Sequence, residues 1–489
     1  MIKIRNNKIL FLATGLLLLF SVRVSAQKAD AGATEIIILH VNDMHAKIDN
    51  LPKLAYLADS LRKTHPFVFL VSAGDNFTGN PVVDMISDKG YPMIDLMNRC
   101  RFNVSAMGNH EFDLGQETLN KRFLQATFPF ICCNFDASLA LLKQPKPYLI
   151  LNAGKKIHIA LLGIIEINDK GIPDTHPSKV TGIKFYNGLS KAREYTWLKK
   201  KYGILIGLTH LGVEADIQLA DSMPEFDEII GGHSHTLIDK PRIENGVRIV
   251  QAGSNLKYIG KTTLRIEKGH VKECTDEVIP VSLLKNADTA MVRLCNQYNS
   301  NEEFRKVVGI ADTPLEGYDA IGSLMTDAIT HELKTDIAFQ NRGGIRTSSM
   351  PKGNITLKDI YQLDPFGNLV VIYKMNVAEI RTLLTYSYNL SKGIDLLPSG
   401  MTYTVISDGK GNCLNVDLFD SSGKILDPDK EYSVAMNSYI SASYQFDHRD
   451  AGITSSQTTA EILAGYLRKI THVNYQGIKR VSEKISGTK

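Results

Sequence analysis

Short apolar runs, each ending in a metal-type side chain, recur through the first half of this chain and constrain it more than any other feature. Ile36-Ile37-Ile38-Leu39-His40-Val41 leads into Asn42-Asp43-Met44-His45, and Phe67-Val68-Phe69-Leu70-Val71-Ser72 leads into Ala73-Gly74-Asp75-Asn76. The run from Asn103 to Gly108 ends in Asn109-His110, that from Ile204 to Thr209 ends in His210, and Ile229-Ile230-Gly231-Gly232 ends in His233-Ser234-His235. Runs of this length, separated by longer stretches of mixed polarity, read as buried strands of a layered α/β domain. Such folds build their active sites where strands end. The placement implies a metal enzyme.

At 489 residues the chain exceeds one ordinary core and suits two or three domains. Its first 26 residues read as a secretory signal peptide: Lys3, Arg5 and Lys8, an apolar stretch from Ile9 to Phe20, then Val24-Ser25-Ala26 before Gln27. The apolar stretch is short of the ~20 residues of a spanning helix, and the tail from Val481 to Lys489 is polar. The expectation is a secreted or periplasmic protein without stable membrane insertion. Lys3, Arg5, Lys8 and Arg23 account for the whole formal net charge of +4, so the mature chain is neutral and gives no footprint for a nucleic-acid polymer. The cysteines Cys100, Cys132, Cys133, Cys274, Cys295 and Cys413 contain no Cys-x-x-Cys pair, and no pairing among them follows from sequence.

The strand-and-ligand pattern runs from about Ala33 to Ile279, with Val247 to Val250 and Thr262 to Ile266 as later strands. Val281 to Arg305 reads as a polar amphipathic helical connector. A second α/β region begins near Gly309: a helix over Ile321 to Leu333, strands at Ile337-Ala338-Phe339 and Leu369 to Tyr373, a helix over Val377 to Tyr388, then strands at Thr402 to Ile406, Asn415 to Phe419 and Tyr432 to Met436.

A carboxylate bridging two divalent cations, flanked by imidazoles and an amide oxygen, is a recurrent way to stabilise an in-line displacement at phosphorus. Asp43 and His45 point to one side if the local chain is extended, and His233 and His235 share that spacing. The mixed donors suit Zn²⁺, Mn²⁺ or Fe better than Ca²⁺. Each string alone has an ordinary explanation: Gly-Asp-Asn as a turn, Asn109 as a helix N-cap. Their order and shared placement outweigh it, with His45, His110, His210, His233 and His235 drawn from only 13 histidines.

The ordered set Asp43-x-His45, Gly74-Asp75, Gly108-Asn109-His110-Glu111-Phe112-Asp113, His210 and Gly231-Gly232-His233-Ser234-His235-Thr236 resembles the calcineurin-like metallophosphoesterases, and within them the 5′-nucleotidase family. The resemblance implies two domains: an N-terminal αββα metallophosphoesterase sandwich over 27–285 and a C-terminal α/β substrate-binding domain over 309–489, joined by a connecting helix or hinge over 286–308. It implies two divalent metal ions, Zn, Mn or similar. Asp43, His45, Asp75 and His235 would hold one; Asp75, Asn109, His210 and His233 would hold the other. His110 is implied as a phosphate-facing catalytic histidine oriented by Asp113; a carboxylate partner favours its imidazolium form.

In the second region Asn341-Arg342-Gly343-Gly344-Ile345-Arg346 offers glycines for close approach and an arginine fork suited to phosphate, and Asp364-Pro365-Phe366-Gly367-Asn368 presents an aromatic on a turn. Together they resemble the 5′-nucleotidase C-terminal domain. The match implies Arg346 as a phosphate ligand, Asn341 as a substrate contact, and Phe366, beside Asn368, as one face of a base clamp whose other face is Tyr439 in Asn437-Ser438-Tyr439. An aromatic clamp holds any base by its π face. Where the family has a ribose-binding Gly-Gly-Asp-Gly stretch this chain reads Ala442-Ser443-Tyr444-Gln445-Phe446-Asp447, with Gln445 in ungapped register and Asp447 reaching only by a local shift. A family arginine is absent at Gly317-Tyr318-Asp319-Ala320, and Arg342 stands as its candidate replacement.

The reading is a secreted two-metal phosphohydrolase cleaving nucleoside 5′-monophosphates, acting on a nucleotide substrate as a monomer or homodimer. The alternatives are a UDP-sugar hydrolase, a 2′,3′-cyclic-nucleotide phosphodiesterase, or, from another class, a non-catalytic nucleotide-binding surface protein.

Overall fold

The computed structural model describes residues 33–486; the expected signal segment lies outside them. The first region forms two six-stranded sheets laid face to face. In one, the order is His270–Pro280, Tyr258–Glu267, Thr34–Val41, Val68–Ser72, Val104–Ala106, Phe130–Ile131, the last four mutually parallel. In the other it is Arg242–Glu244, Val247–Val250, Glu228–Ile230, Gly203–His210, Ile157–Ile165, Tyr148–Ala153, with a parallel centre. The first strand shows why its run is continuously apolar rather than alternating: Ile36 and Ile38 face the opposite sheet, while Ile37, Leu39 and Val41 pack beneath the outer helices. Helices Leu51–Thr64 and Tyr91–Cys100 connect parallel strands on one outer face and Val213–Ser222 does so on the other, giving the αββα layering expected. Truncating a side chain such as the fully buried Ile38 to alanine costs about 2–5 kcal/mol.

The connector is not one helix. A short turn at Val281–Leu283 is followed by separate helices Thr289–Asn299 and Glu302–Arg305. Asp288 and Asn301 cause the breaks: their carboxylate and amide oxygens cap new N-termini at Met291 N (2.8 Å) and Glu303 N (3.0 Å). Met291 and Cys295 of the longer helix are buried in the core of the first region.

The second region has its own core around a five-stranded sheet of order Leu396–Ser399, Ile337–Asn341, Tyr432–Asn437, Leu369–Met375, Ile453–Thr458. Helices Gly317–Leu333, Val377–Ser391 and Thr459–Ile470 bury their apolar faces in that core. The last two begin with capping boxes, Asn376 with Glu379 and Thr458 with Glu461. Asn341 and Asn437 end neighbouring parallel strands, so the loops after them emerge side by side toward the first region.

Candidate metal centre and substrate cleft

The loops after Val41, Ser72, Ala106, His210 and Ile230 converge. Asp43 N donates to Gly74 O (3.0 Å) and His45 N to Asp75 O (3.0 Å), which zips the first two loops together. Sequence spacing implied an extended chain at Asp43-x-His45 and His233-x-His235; instead these residues are left-handed, with φ of 49° at Asp43, 46° at His45, 78° at His233 and 56° at His235, and Asp75 lies at 54°. Each such residue costs of order 1–3 kcal/mol and persists only where its surroundings over-determine it. The consequence is that one histidine pair parts company: His235 turns toward His45, and His233 toward Asn109.

Two groups of donors result. In one, His45 Nε2 and His235 Nε2 lie 2.9 Å apart, with Asp43 Oδ1 3.4 Å from His235 Nε2. In the other, His210 Nε2 lies 3.1 Å from Asp75 Oδ2 and 3.2 Å from Asn109 Oδ1, and His233 Nδ1 is 3.1 Å from the same amide oxygen. Asn109 does not cap the short helix His110–Leu114 with its side chain, because that oxygen faces the two imidazoles. Asp75 approaches both groups, within 4.8 Å of His45 on one side and of Asp43 and His210 on the other.

Tautomers set by carbonyls make these donors fit a cation. His210 Nδ1 sits 2.7 Å from Ala73 O, so it carries the proton and turns the Nε2 lone pair onto a carboxylate and an amide oxygen. His45 Nδ1 sits 3.2 Å from Thr78 O, turning its Nε2 lone pair toward His235. Acceptors facing acceptors in a buried site require positive charge between them. The His210 pKa shows that demand: burial opposes the charged form, yet Asp75 and Asp43 push it up to about 10.

Buried carboxylates hold the loops. Glu111 accepts from Asp75 N (3.0 Å), Asn76 N (2.7 Å) and Gly108 N (2.7 Å), tying the Asp75 loop to the Asn109 loop. Asp84 accepts from Thr78, Gly79 and Asn80 N–H groups at 3.1, 2.7 and 2.7 Å. Gly108 is required by this closeness, since a Cβ there would stand 2.2 Å from Asp75 Oδ1.

His110 enters through the same loop. Its N–H donates to Asp75 Oδ1 (2.9 Å), and its Nδ1 lies 2.6 Å from Asp113 Oδ2. Asp113 also accepts from Thr175 Oγ1 at 2.9 Å. Burial lowers the His110 pKa, but the Asp75 and Asp113 carboxylates outweigh it and the net direction is upward.

A cleft of about 670 Å³ opens beside this centre. Asp75, Asn109, His110, Asp113, His233 and His235 form one wall, and Asn341, Arg346, Phe366, Asn368 and Tyr439 the other. Arg346 reaches across, its Nη2 2.8 Å from His45 Nε2 and its guanidinium 5.9 Å from the centre of the Phe366 ring. Phe366 in turn lies 5.7 Å from the His110 ring. Arg342 goes elsewhere: it is not on the cleft, its Nη2 lies 3.7 Å from Asp319 Oδ1 and its guanidinium stacks over Tyr318. The turn Arg342–Gly344 sends Arg342 and Arg346 to opposite sides. Neither Gln445 nor Asp447 lines the cleft.

Sequence reading missed Glu111 as an anchor although the string containing it was plain, because nothing distinguishes an anchor from a first-turn glutamate. It also missed the loop segment Asp174, Thr175, His176, Ser178 and Lys179 on the cleft, which has no periodicity to mark it.

Known proteins resemble this chain over both regions. Residues 36–237 match the calcineurin-like phosphoesterase family and residues 305–445 match the 5′-nucleotidase C-terminal domain. The chain is similar to protein UshA of Yersinia enterocolitica, 27% identical with 89% of this chain and 91% of that one covered. It is also similar to the 5′-nucleotidase of Vibrio cholerae, 28% identical over 90% and 92% respectively. The fold superposes on a 5′-nucleotidase precursor from Thermus thermophilus with a TM-score of 0.81 at 24% identity, covering 92% of this chain and 99% of that one. With both domains matched in order and the phosphoesterase motifs gathered at one centre, the chain joins a calcineurin-like phosphoesterase domain to a 5′-nucleotidase C-terminal domain, the two-domain plan of the 5′-nucleotidases.

Proposed function

We propose that this metal-dependent nucleotide phosphohydrolase acts on nucleoside 5′-monophosphates, releasing nucleoside and inorganic phosphate, and that residues 1–26 export it. The observation that carries the substrate is the reach of Arg346 from the second region to His45, with Phe366 beside His110, so that a phosphate and an aromatic base fit one cleft.

Asp43, His45, Asp75 and His235 are assigned to one divalent cation, and Asp75, Asn109, His210 and His233 to a second. When bound, the cations supply Lewis-acid charge stabilisation and nucleophile activation. The remaining work falls to the chain. Arg346 holds the phosphoryl oxygens in a planar fork. His110, kept protonated by Asp113, presents its Nε2 proton to the same group as negative charge grows there. Asn341 is held by Asn437 Nδ2 (2.9 Å), which fixes it beside the substrate. Phe366 and Tyr439 grip the base without reading its edge, so base preference is broad.

The test is phosphate release from AMP by the metal-loaded protein, run beside UDP-glucose and a 2′,3′-cyclic nucleotide. Preferred turnover of AMP is expected; hydrolysis of either competitor without AMP turnover replaces this reading.

A further inference from the structure

A second set of ligand-type side chains lies inside the sandwich and shares no residue with the catalytic centre. Strand register builds it. Cys274 and Asp276, two residues apart on the edge strand His270–Pro280, face the same way, and Asp276 stands opposite Thr262. In the facing sheet Glu228 stands opposite Arg248. One donor atom from each of Glu228, Cys274 and Asp276 falls within 4.8 Å of the others.

The hydrogen bonds there do not close. Thr262 Oγ1 is 2.7 Å from Glu228 Oε1 and 2.8 Å from Asp276 Oδ1, but a hydroxyl has one proton and satisfies one of them. Glu228 is fully buried and no donor reaches its Oε2, so it pairs with the neighbouring Asp276 only by carrying a proton itself. Arg248 Nε donates to Asp276 Oδ2 at 2.9 Å, and its charge favours the Glu228 carboxylate by less than burial and Asp276 oppose it. In the same layer His40 lies against Gly260 with its buried Nδ1 also unpartnered. Burial, and then the Asp276 carboxylate, push the Glu228 carboxyl well above its usual range. Glu228 is therefore left to take up either a proton or a cation.

We propose that Glu228, Asp276 and Cys274 bind a thiophilic divalent cation, Zn²⁺ by its chemistry, which clips the edge strand His270–Pro280 of one sheet to the inner strand Glu228–Ile230 of the other. A divalent ion with the Cys274 thiolate, both carboxylates and Arg248 sums to neutral charge, as does a proton on Glu228 with the thiol intact, so it is the thiolate and carboxylate donors together that point to a metal. Thiolate with carboxylate oxygen selects Zn²⁺ or Co²⁺ over Mg²⁺ and Ca²⁺. Binding displaces two protons to solvent, one from the Cys274 thiol and one from the Glu228 carboxyl, and makes no other bond change. Cys274 and Arg248 are only partly buried, which gives the ion a path from the sandwich edge.

Cobalt distinguishes this site, because the residues assigned to the catalytic centre include no cysteine. The metal-stripped full-length protein is titrated with Co²⁺ and followed by near-ultraviolet absorption. The expected result is a thiolate-to-cobalt charge-transfer band that saturates with one equivalent more than Cys274→Ser binds, and no band in that variant. Glu228→Gln keeps the shape and is expected to weaken the band-forming equivalent about tenfold or more. Zinc is expected to raise the melting temperature of the wild type more than that of Cys274→Ser. A wild type without the band at cobalt saturation, or a band that survives Cys274→Ser, overturns the proposal and leaves a proton on Glu228 as the solution.

Discussion

The wall of the cleft proposed for catalysis and the wall proposed for substrate are built on different principles. On the catalytic wall Asp43, His45, Asp75, His233 and His235 all occupy left-handed backbone, and Glu111 and Asp84 tie the loops down with charge-assisted bonds to successive N–H groups. Strain and its restraint come together, so each donor has one geometry. On the substrate wall Phe366 and Tyr439 belong to a turn and to the short helix after Asn437, and offer faces rather than directed lone pairs. Directional chemistry tolerates little substitution; stacking tolerates much.

The largest effect that tests this contrast is at Asp75. Asp75→Asn keeps the size and removes the charge that both donor groups share, so phosphate release from AMP should fall by more than about 10³-fold. Metal content measured on the same sample should fall with it; retained activity would mean the two groups are not coupled through this carboxylate. Arg346→Ala comes next. It should lower kcat/KM for AMP by about 10²–10³-fold and affect a small aryl phosphodiester far less, because only the nucleotide is held from the second wall. Equal losses on both substrates would place Arg346 with the catalytic wall instead.

Glu111→Gln probes the restraint rather than the donors. Both glutamate oxygens accept N–H groups, Oε2 from Asp75 and Gly108, Oε1 from Asn76. The amide NH₂ must meet one of those donors head on. Metal affinity, read by chelator competition, should weaken about 10–100-fold, the usual range for groups behind a metal's ligands. Unchanged affinity would show that the left-handed loops hold themselves.

Much of this was readable beforehand, for physical reasons that also mark where reading stops. A parallel strand buried on both faces is a short apolar run, and its end is a place in sequence, so sequence alone puts Asp43, Asp75, Asn109, His210 and His233 at one edge. The family resemblance assigned them partners. Backbone handedness is another matter: Asp43 to His45 look extended because alternation is all a sequence displays, whereas the left-handed turns come from cross-loop bonds such as His45 N to Asp75 O. Thr175 was illegible because its partner Asp113 lies across the fold. The connector misled through composition, since Asp288 and Asn301 look like solvated polar residues until they cap.

Arg342 is the smallest and sharpest test, because sequence offered it as a replacement for a missing substrate arginine. Its backbone N–H is held by Asp395 O (3.0 Å), which turns the side chain toward Asp319 and Tyr318 instead of the cleft. Both charges of that pair are about a third exposed, at 39% and 34%, and solvent screens such pairs to about 1 kcal/mol or less. Arg342→Ala should therefore leave kcat/KM for AMP essentially unchanged and shift the melting temperature slightly. A large rise in KM for AMP, with the fold intact, would mean that the substrate wall reorganises around the nucleotide and swings Arg342 in, making recognition in this enzyme an induced arrangement rather than the preformed one the metal side displays.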